Sequence, residues 1–263
     1  AALPQLCQPF MRKITGGDFQ AIGHFNMFGY ALSGLLGNFF KKHVDDTTEN
    51  IKFPKALSFF KDFLMGFAFV MLILFYIAAI AAGKPAVMKI SGGVDWLVFP
   101  LVQALTCTAG ISVLMTGVRM FLAEITAAFN AFAEKFIPGS RPALDVPTIF
   151  PFAPTAVLVG FLSSYAAGLI GVGIMIAFHF DMVIIPAAHI CFFSGGTAAI
   201  FGNSTGGWRG AVFGSFIVGL LLVFLPVLLY PAISSMGVST AMFPNVDYNV
   251  VGSLLNSILG LFH

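Results

Sequence analysis

The charges along this chain fall into one polar stretch followed by long apolar runs. Residues 1–62 carry Arg12, Lys13, Lys41, Lys42, Lys52, Lys55 and Lys61 against Asp18, Asp45, Asp46, Glu49 and Asp62. This pattern predicts a water-facing arm with connecting helices. From Phe63 to Gly83, 21 residues pass without a charge, and 96–118 adds another 23. Each run is long enough to cross a hydrocarbon core about 30 Å thick at roughly 1.5 Å per helical residue. Basic residues are denser before the first span than after it, so the arm is expected in the cytoplasm and Lys84–Asp95 outside, with the chain returning near Arg119.

After the second span the period changes. Val118, Phe121, Leu122, Ile125, Phe129, Phe132 and Phe136 fall within an arc of about 100° on a helical wheel, opposite Arg119, Thr126, Asn130 and Glu134. An amphipathic helix over 119–139 is expected, stopped by Ile137-Pro138-Gly139. Its place just after a span favours a helix lying in the cytoplasmic membrane face over one packed against neighbouring spans. From Arg141 to Thr155, prolines at 142, 147, 151 and 154 exclude an unbroken helix. Irregular backbone at membrane depth survives only where protein or a wet cavity satisfies it, so a re-entrant or broken helix is predicted. A span over about 155–178 follows, then a second interrupted segment from Asp181 to Gly210, broken by Pro186, Gly195-Gly196 and Gly202–Gly210. Another span covers 211–233, and Tyr248–His263 is short for a crossing. Two interrupted apolar segments around a complete span are the arrangement of a transporter with a midplane site. Gly206, Gly210 and Gly214 predict close helix packing.

Composition agrees: 58% of the 263 residues are hydrophobic and 9% charged, against about a quarter charged in soluble domains. The fold class is therefore all-α, a polytopic membrane protein with broken or re-entrant helices. A net charge of +2 without a basic cluster gives nucleic acid no footprint. Cys7, Cys107 and Cys191 have neither disulfide-framework nor zinc spacing. The opening residues lack an initiator Met and a secretory signal's order, which points to a piece of a longer chain.

Ionisable groups inside apolar sequence are few, and each is either paired or functional. Asp145 lies in the proline-interrupted segment, where its carboxylate could accept a hydroxyl hydrogen bond or a proton; a helix-capping Asp at the membrane surface is the alternative. His24, in Ile22-Gly23-His24-Phe25-Asn26, has no partner at metal spacing, so no metal or other cofactor is expected. Arg119 and Glu124 read as interface residues, Asp181 and Arg209 as boundary loops, and His179 and His189 as neutral hydrogen-bonding groups. No Walker loop, nucleophile elbow or HExxH occurs, so uptake must draw on an ion gradient or a partner protein.

The ordered set Gly117-Val-Arg-Met-Phe-Leu-Ala-Glu-Ile-Thr-Ala-Ala-Phe-Asn130, Ile137-Pro-Gly, Ala143-Leu-Asp145, Phe152-Ala-Pro154, Ile184-Ile-Pro186 and Gly206-Gly-Trp-Arg209, with Ile22-Gly23-His24, resembles the ascorbate-specific permeases (enzyme IIC) of the bacterial phosphotransferase system. The resemblance covers nearly all of this chain but only the C-terminal portion of such permeases, so a fragment or one half of a split carrier is expected. It implies a homodimeric, multi-pass carrier of the bacterial inner membrane, in which a V-shaped dimerising domain holds a mobile core. Residues 63–118 would belong to the former and 140–263 to the latter. L-Ascorbate or a similar sugar acid would be carried inward and phosphorylated by a cytoplasmic IIB protein charged by IIA. The permease itself would be the carrying subunit of that phosphotransferase complex. Carried onto matching positions, His24 and Asp145 would be substrate contacts, Asp145 orienting or deprotonating the attacking hydroxyl. Where relatives have Gln after this His, Phe25 and then Asn26 stand here, and Asn26 joins the expected substrate contacts. Alternatives are a galactitol-type permease, a non-transporting membrane assembly subunit and an ion-coupled symporter.

Overall fold

The computed structural model describes residues 2–51, 62–137, 139–235 and 245–260. Lys52, Lys55 and Lys61 of the expected arm, Pro138 of the helix stop and residues 261–263 of the terminal run lie outside them, as do the side chains of Leu122, Asn130 and Glu134. The chain is helical almost throughout and forms two compact units, residues 52–127 and residues 1–51 with 128–263. Among the described residues, four helical stretches are long and apolar enough to cross a membrane, which makes this an all-α polytopic membrane protein.

The 52–127 unit holds α3 (Phe63–Ala82), α4 (Lys84–Ile90) and the larger part of α5 (Val98–Phe136). Asp62 caps α3 by accepting from the Met65 N–H at 2.9 Å. Gly83 takes φ 79° at the corner into α4. The Tyr76 hydroxyl donates to the Leu97 carbonyl at 2.8 Å, tying α3 to the start of α5. The amphipathic stretch expected as a helix of its own continues the second span without a break, because Arg119 to Phe136 contain no Pro or Gly to end the helix. At 39 residues α5 measures about 58 Å. Phe121, Phe129, Phe132 and Phe136 remain exposed on it.

The other unit is built round α8 (Gly196–Ser235), with α1 (Ala2–Thr15), α2 (Met27–Gly37), α6 (Pro154–Ala177), the turn α7 (Ala188–Ile190) and α9 (Val246–Leu259). Residues 2–51, expected as a water-facing arm with connecting helices, pack into this unit: α2 lies along α8 and α1 packs on α2. The reason is steric. A side chain at Gly37 or Gly206 would strike backbone of the facing helix, one at Gly210 would strike the Gly202 backbone across the break in α8, and one at Gly34 would strike the Phe10 ring. Gly160 on α6 meets Gly195 and Gly196 in the same way, and Gly219 meets the backbone of Ser164. Such glycines let helices touch backbone to backbone, which is how helices associate in lipid.

The interruptions fall where the prolines and glycines predict them. Residues 146–148 and 150–152 form short 3₁₀ turns that lead into α6. Cys191–Gly195 is a π-helical turn before α8. α8 breaks at Gly206 and Gly207, whose φ values are −144° and 61°. The chain doubles back there, the Gly202 backbone before the break lying against the Gly210 backbone after it, so the span expected at 211–233 falls within the second of two separate helices, 208–235.

Two glycines separate packing from propensity. Gly202→Ala puts a methyl against the Gly210 backbone, with the carbonyl carbon only 2.7 Å away, and is expected to lower stability by about 1–3 kcal/mol. Gly110→Ala meets nothing within 4 Å and is expected to be neutral or stabilising by up to about 1 kcal/mol. Thermal unfolding of the detergent-solubilised chain measures both, and equal melting of the two variants refutes this packing account.

Candidate functional site

A two-residue parallel ladder creates the site. β1 (Ala21–Ile22) pairs with β2 (Ala143–Leu144) in the register Ala21 with Ala143 and Ile22 with Leu144. The ladder continues through Gly23, whose N–H donates to the Leu144 carbonyl at 2.8 Å. A side chain at Gly23 would crowd Ala143, 3.2 Å away. Pairing across 122 positions of sequence brings His24 to the end of one strand and Asp145 to the end of the other. They are close enough for the carboxylate to act electrostatically on the imidazole. Burial lowers the His24 pKa, and Asp145 opposes that shift.

Asp145 is exposed on this chain. It accepts the Val146 N–H at 2.8 Å and caps the 3₁₀ turn that follows. Both readings offered by the sequence thus meet in one residue: it is a cap, and its carboxylate stands beside His24. None of the main cavities formed by the described residues is lined by His24 or Asp145.

His24 is half-buried and leans on Tyr30, the rings lying 5.7 Å apart and nearly parallel. Nδ1 and the Tyr30 hydroxyl are hydrogen-bonded at 2.6 Å. Tyr30 is fully buried on α2, and Ser194, Thr197 and Asn26 face its hydroxyl. Asn26 is fully buried and its Oδ1 accepts the Val246 N–H at 3.3 Å. It therefore sits behind His24, between α2 and α9, and does not share the exposure of Asp145.

Tyr30, Ser194, Thr197 and Asp247 were missed by reasoning from sequence. Ser194 belongs to the π-helical turn, a distortion common at functional sites. Asp247 is buried and accepts the Met27 N–H at 2.8 Å and the Phe28 N–H at 2.9 Å. It pairs with the open amides and balances the positive end of α2 from 220 positions away. Its isolation as the last acid of the chain was a readable signal. Glu49 does the same for α6, accepting the Thr155 N–H at 2.9 Å, the Ala156 N–H at 3.3 Å and the Thr155 hydroxyl at 2.7 Å. Within its acidic neighbourhood nothing in the sequence marked it.

At the exposed corner, Asp18 binds Arg12 at 2.9 Å, Gln8 at 2.6 Å and Arg141. The hydrogen bond from Arg12 lowers its pKa most, with Gln8 next. This cluster ties α1 to the segment that enters β2. Arg209, expected in a boundary loop, lies on α8 just past its break, where it pairs with Asp46 at 3.4 Å and stacks on Trp208.

Residues 1–247 match the family described as the sugar-specific permease component of the phosphotransferase system, EIIC-GAT. The chain is also similar to the ascorbate-specific phosphotransferase EIIC component of Mycoplasma pneumoniae, at 29% identity over 240 residues, covering 81% of this chain. It spans 36% of the length of that relative.

The capping carboxylates separate by substitution. Asp247→Ala leaves two buried N–H groups unpaired and is expected to cost about 1–3 kcal/mol. Glu49→Ala is expected to cost about 0.5–2 kcal/mol, as for a lost N-cap. Exposed Asp181→Ala is expected to stay within about 0.5 kcal/mol of the parent. Melting of the three variants in one detergent checks the order, and a neutral Asp247→Ala would sink the capping assignment.

Proposed function

The chain belongs to the family of phosphotransferase sugar-specific permease components, and from that premise we propose that it forms part of an inner-membrane carrier for L-ascorbate or a similar sugar acid. Transport is coupled to phosphorylation by a IIB partner that IIA recharges. The observation that carries this reading is the juxtaposition of His24 and Asp145 by the β1–β2 ladder. An imidazole and a carboxylate side by side suit a hydroxylated ligand, and the name of the Mycoplasma relative supports ascorbate.

In this reading His24 and Asp145 touch the substrate, and Asp145 orients or deprotonates the hydroxyl that attacks the phosphoryl donor. Asn26 acts from behind, by holding the α2 entry against α9. The unit of residues 1–51 and 128–263 is the mobile core. The 63–118 helices belong to the dimerising domain of a homodimer, and the exposed phenylalanines after residue 118 face lipid.

Uptake and phosphorylation of labelled ascorbate by the complete carrier in vesicles, with IIA and IIB supplied, test this reading. Asp145→Asn is expected to reduce phosphorylation by roughly 10–100-fold, the scale of a lost hydrogen bond to a charged group. His24→Ala is expected to weaken ascorbate binding by roughly 3–10-fold. Wild-type kinetics in both variants remove them from the site, and preference for labelled galactitol overturns the substrate. As the chain spans about a third of its relative, vesicles holding it alone are expected to form no ascorbate phosphate.

A further inference from the structure

We infer that the cavity where α1, the 44–47 loop and the entry to α6 meet α8 binds a small oxyanion, a phosphate group held by the Lys13 ammonium and the Asn203 amide. The inference goes beyond the carrier reading and does not rest on it. Neither His24 nor Asp145 lines this cavity.

A polar run in an apolar helix carries it. Asn203-Ser204-Thr205 stand together just before the break in α8. Ser204 gives its hydrogen to the Phe201 carbonyl at 2.7 Å, and Thr205 gives its own to the Gly34 carbonyl at 2.8 Å. Asn203 is used by one end alone. The Thr48 N–H can only donate and lies 3.0 Å away, which identifies the end facing it as the oxygen. The Nδ2 end of the same flat group finds no acceptor among the described residues. Asn203 is 7% exposed and lines a cavity of about 260 Å³. A buried amide with its hydrogens unspent calls for an acceptor there.

The rest of the wall decides the sign of the ligand. Lys13 lines the same cavity, is exposed, and forms no ion pair among the described residues. Thr47 lines it too, with a hydroxyl that does not cap the turn after it. Ile14, Val44, Phe152 and Ile200 supply apolar sides, and none of the described lining residues is acidic. The acids nearest in sequence are engaged elsewhere, Glu49 on the first amides of α6 and Asp46 with His43 and Arg209. An ammonium, an amide donor and a hydroxyl between apolar walls, where water screens them less, suit an oxyanion. A metal cation would meet no carboxylate, and an apolar molecule would leave Nδ2 unpaired. The volume is below the roughly 300–1,000 Å³ of drug-sized sites, so the ligand is free phosphate or the phosphate of a small ester.

Calorimetric titration of the detergent-solubilised chain with inorganic phosphate, and separately with methyl phosphate, tests the site. Saturable binding at millimolar concentration or below is expected. Lys13→Met and Asn203→Asp are each expected to weaken it by roughly 10–100-fold, the scale of a lost hydrogen bond to a charged group. Asn203→Asp keeps an oxygen for the Thr48 N–H while it removes the Nδ2 donor and adds a negative charge, so it acts on the ligand and spares that tie. Lys13→Met changes an exposed side chain and decides alone if the other variant fails to fold. Methyl phosphate binding as tightly as inorganic phosphate upholds the site and assigns it to phosphate esters; much weaker binding of the ester upholds it for free phosphate. Failure of the folded parent to bind either compound overturns the inference, and so does binding that is unchanged in either folded variant.

Discussion

The approach of α8 to α2 and α6 at backbone distance is the constraint on which the remaining structure depends. Gly37 against Gly202 and Gly206, and Gly160 against Gly195 and Gly196, leave no space for even a methyl group. At that separation short side chains reach the opposite backbone: the Ser33 hydroxyl donates to the Ala198 carbonyl, and Thr205 donates to the Gly34 carbonyl at 2.8 Å. The same closeness brings Ser194 and Thr197 near the Tyr30 hydroxyl on α2, which is hydrogen-bonded to His24 Nδ1 at 2.6 Å. A wider helix spacing would leave the phenol without its neighbours. The packing of small residues therefore shapes the surroundings of the buried phenol on which His24 leans.

Acidic residues in this unit are used in two distinct ways. Asp247 and Glu49 each take the first amides of a helix whose own sequence supplies no side-chain cap, since α2 begins after Asn26, whose oxygen is turned to Val246, and α6 begins at Pro154. Both carboxylates come from remote sequence and so act as tertiary ties as well as caps. Asp145 caps only its adjacent turn and keeps the rest of its carboxylate exposed. That difference in engagement, rather than the presence of charge in apolar sequence, is what the proposed role of Asp145 draws on.

Sequence patterning anticipated the features governed by local chemistry. An uninterrupted apolar run reads as a span, and α3 occupies 63–82 almost as the charges bound it. Pro147, Pro151, Gly206 and Gly207 announce broken helix because they lack a donor or tolerate forbidden angles. His24 and Asp145 were picked out by type and by resemblance, yet only the ladder reveals that they are neighbours. The packing of residues 2–51 was hidden because their charges cluster at Arg12–Asp18 and beyond Lys41, leaving α2 itself uncharged between them. Tyr30 was hidden because an aromatic residue in an apolar helix has no sequence mark that distinguishes a polar role from packing.

The break in α8 shows why the loop after α2 belongs to the same unit. An interrupted helix in an apolar setting frees amides that must find partners within the protein. At Gly207 the chain passes so close to the carbonyls of His43 and Asp46 that no side chain fits, and the next amide, Trp208 N–H, donates to the Asp46 carbonyl at 2.8 Å. Asn203, just before the break, accepts the Thr48 N–H at 3.0 Å, and Glu49 then runs on to cap α6. Residues 43–49 therefore satisfy the broken backbone of one helix and the open end of another. A change in that loop would be felt at α6 and α8 together, and through them at the face of α8 that supports Tyr30 and His24.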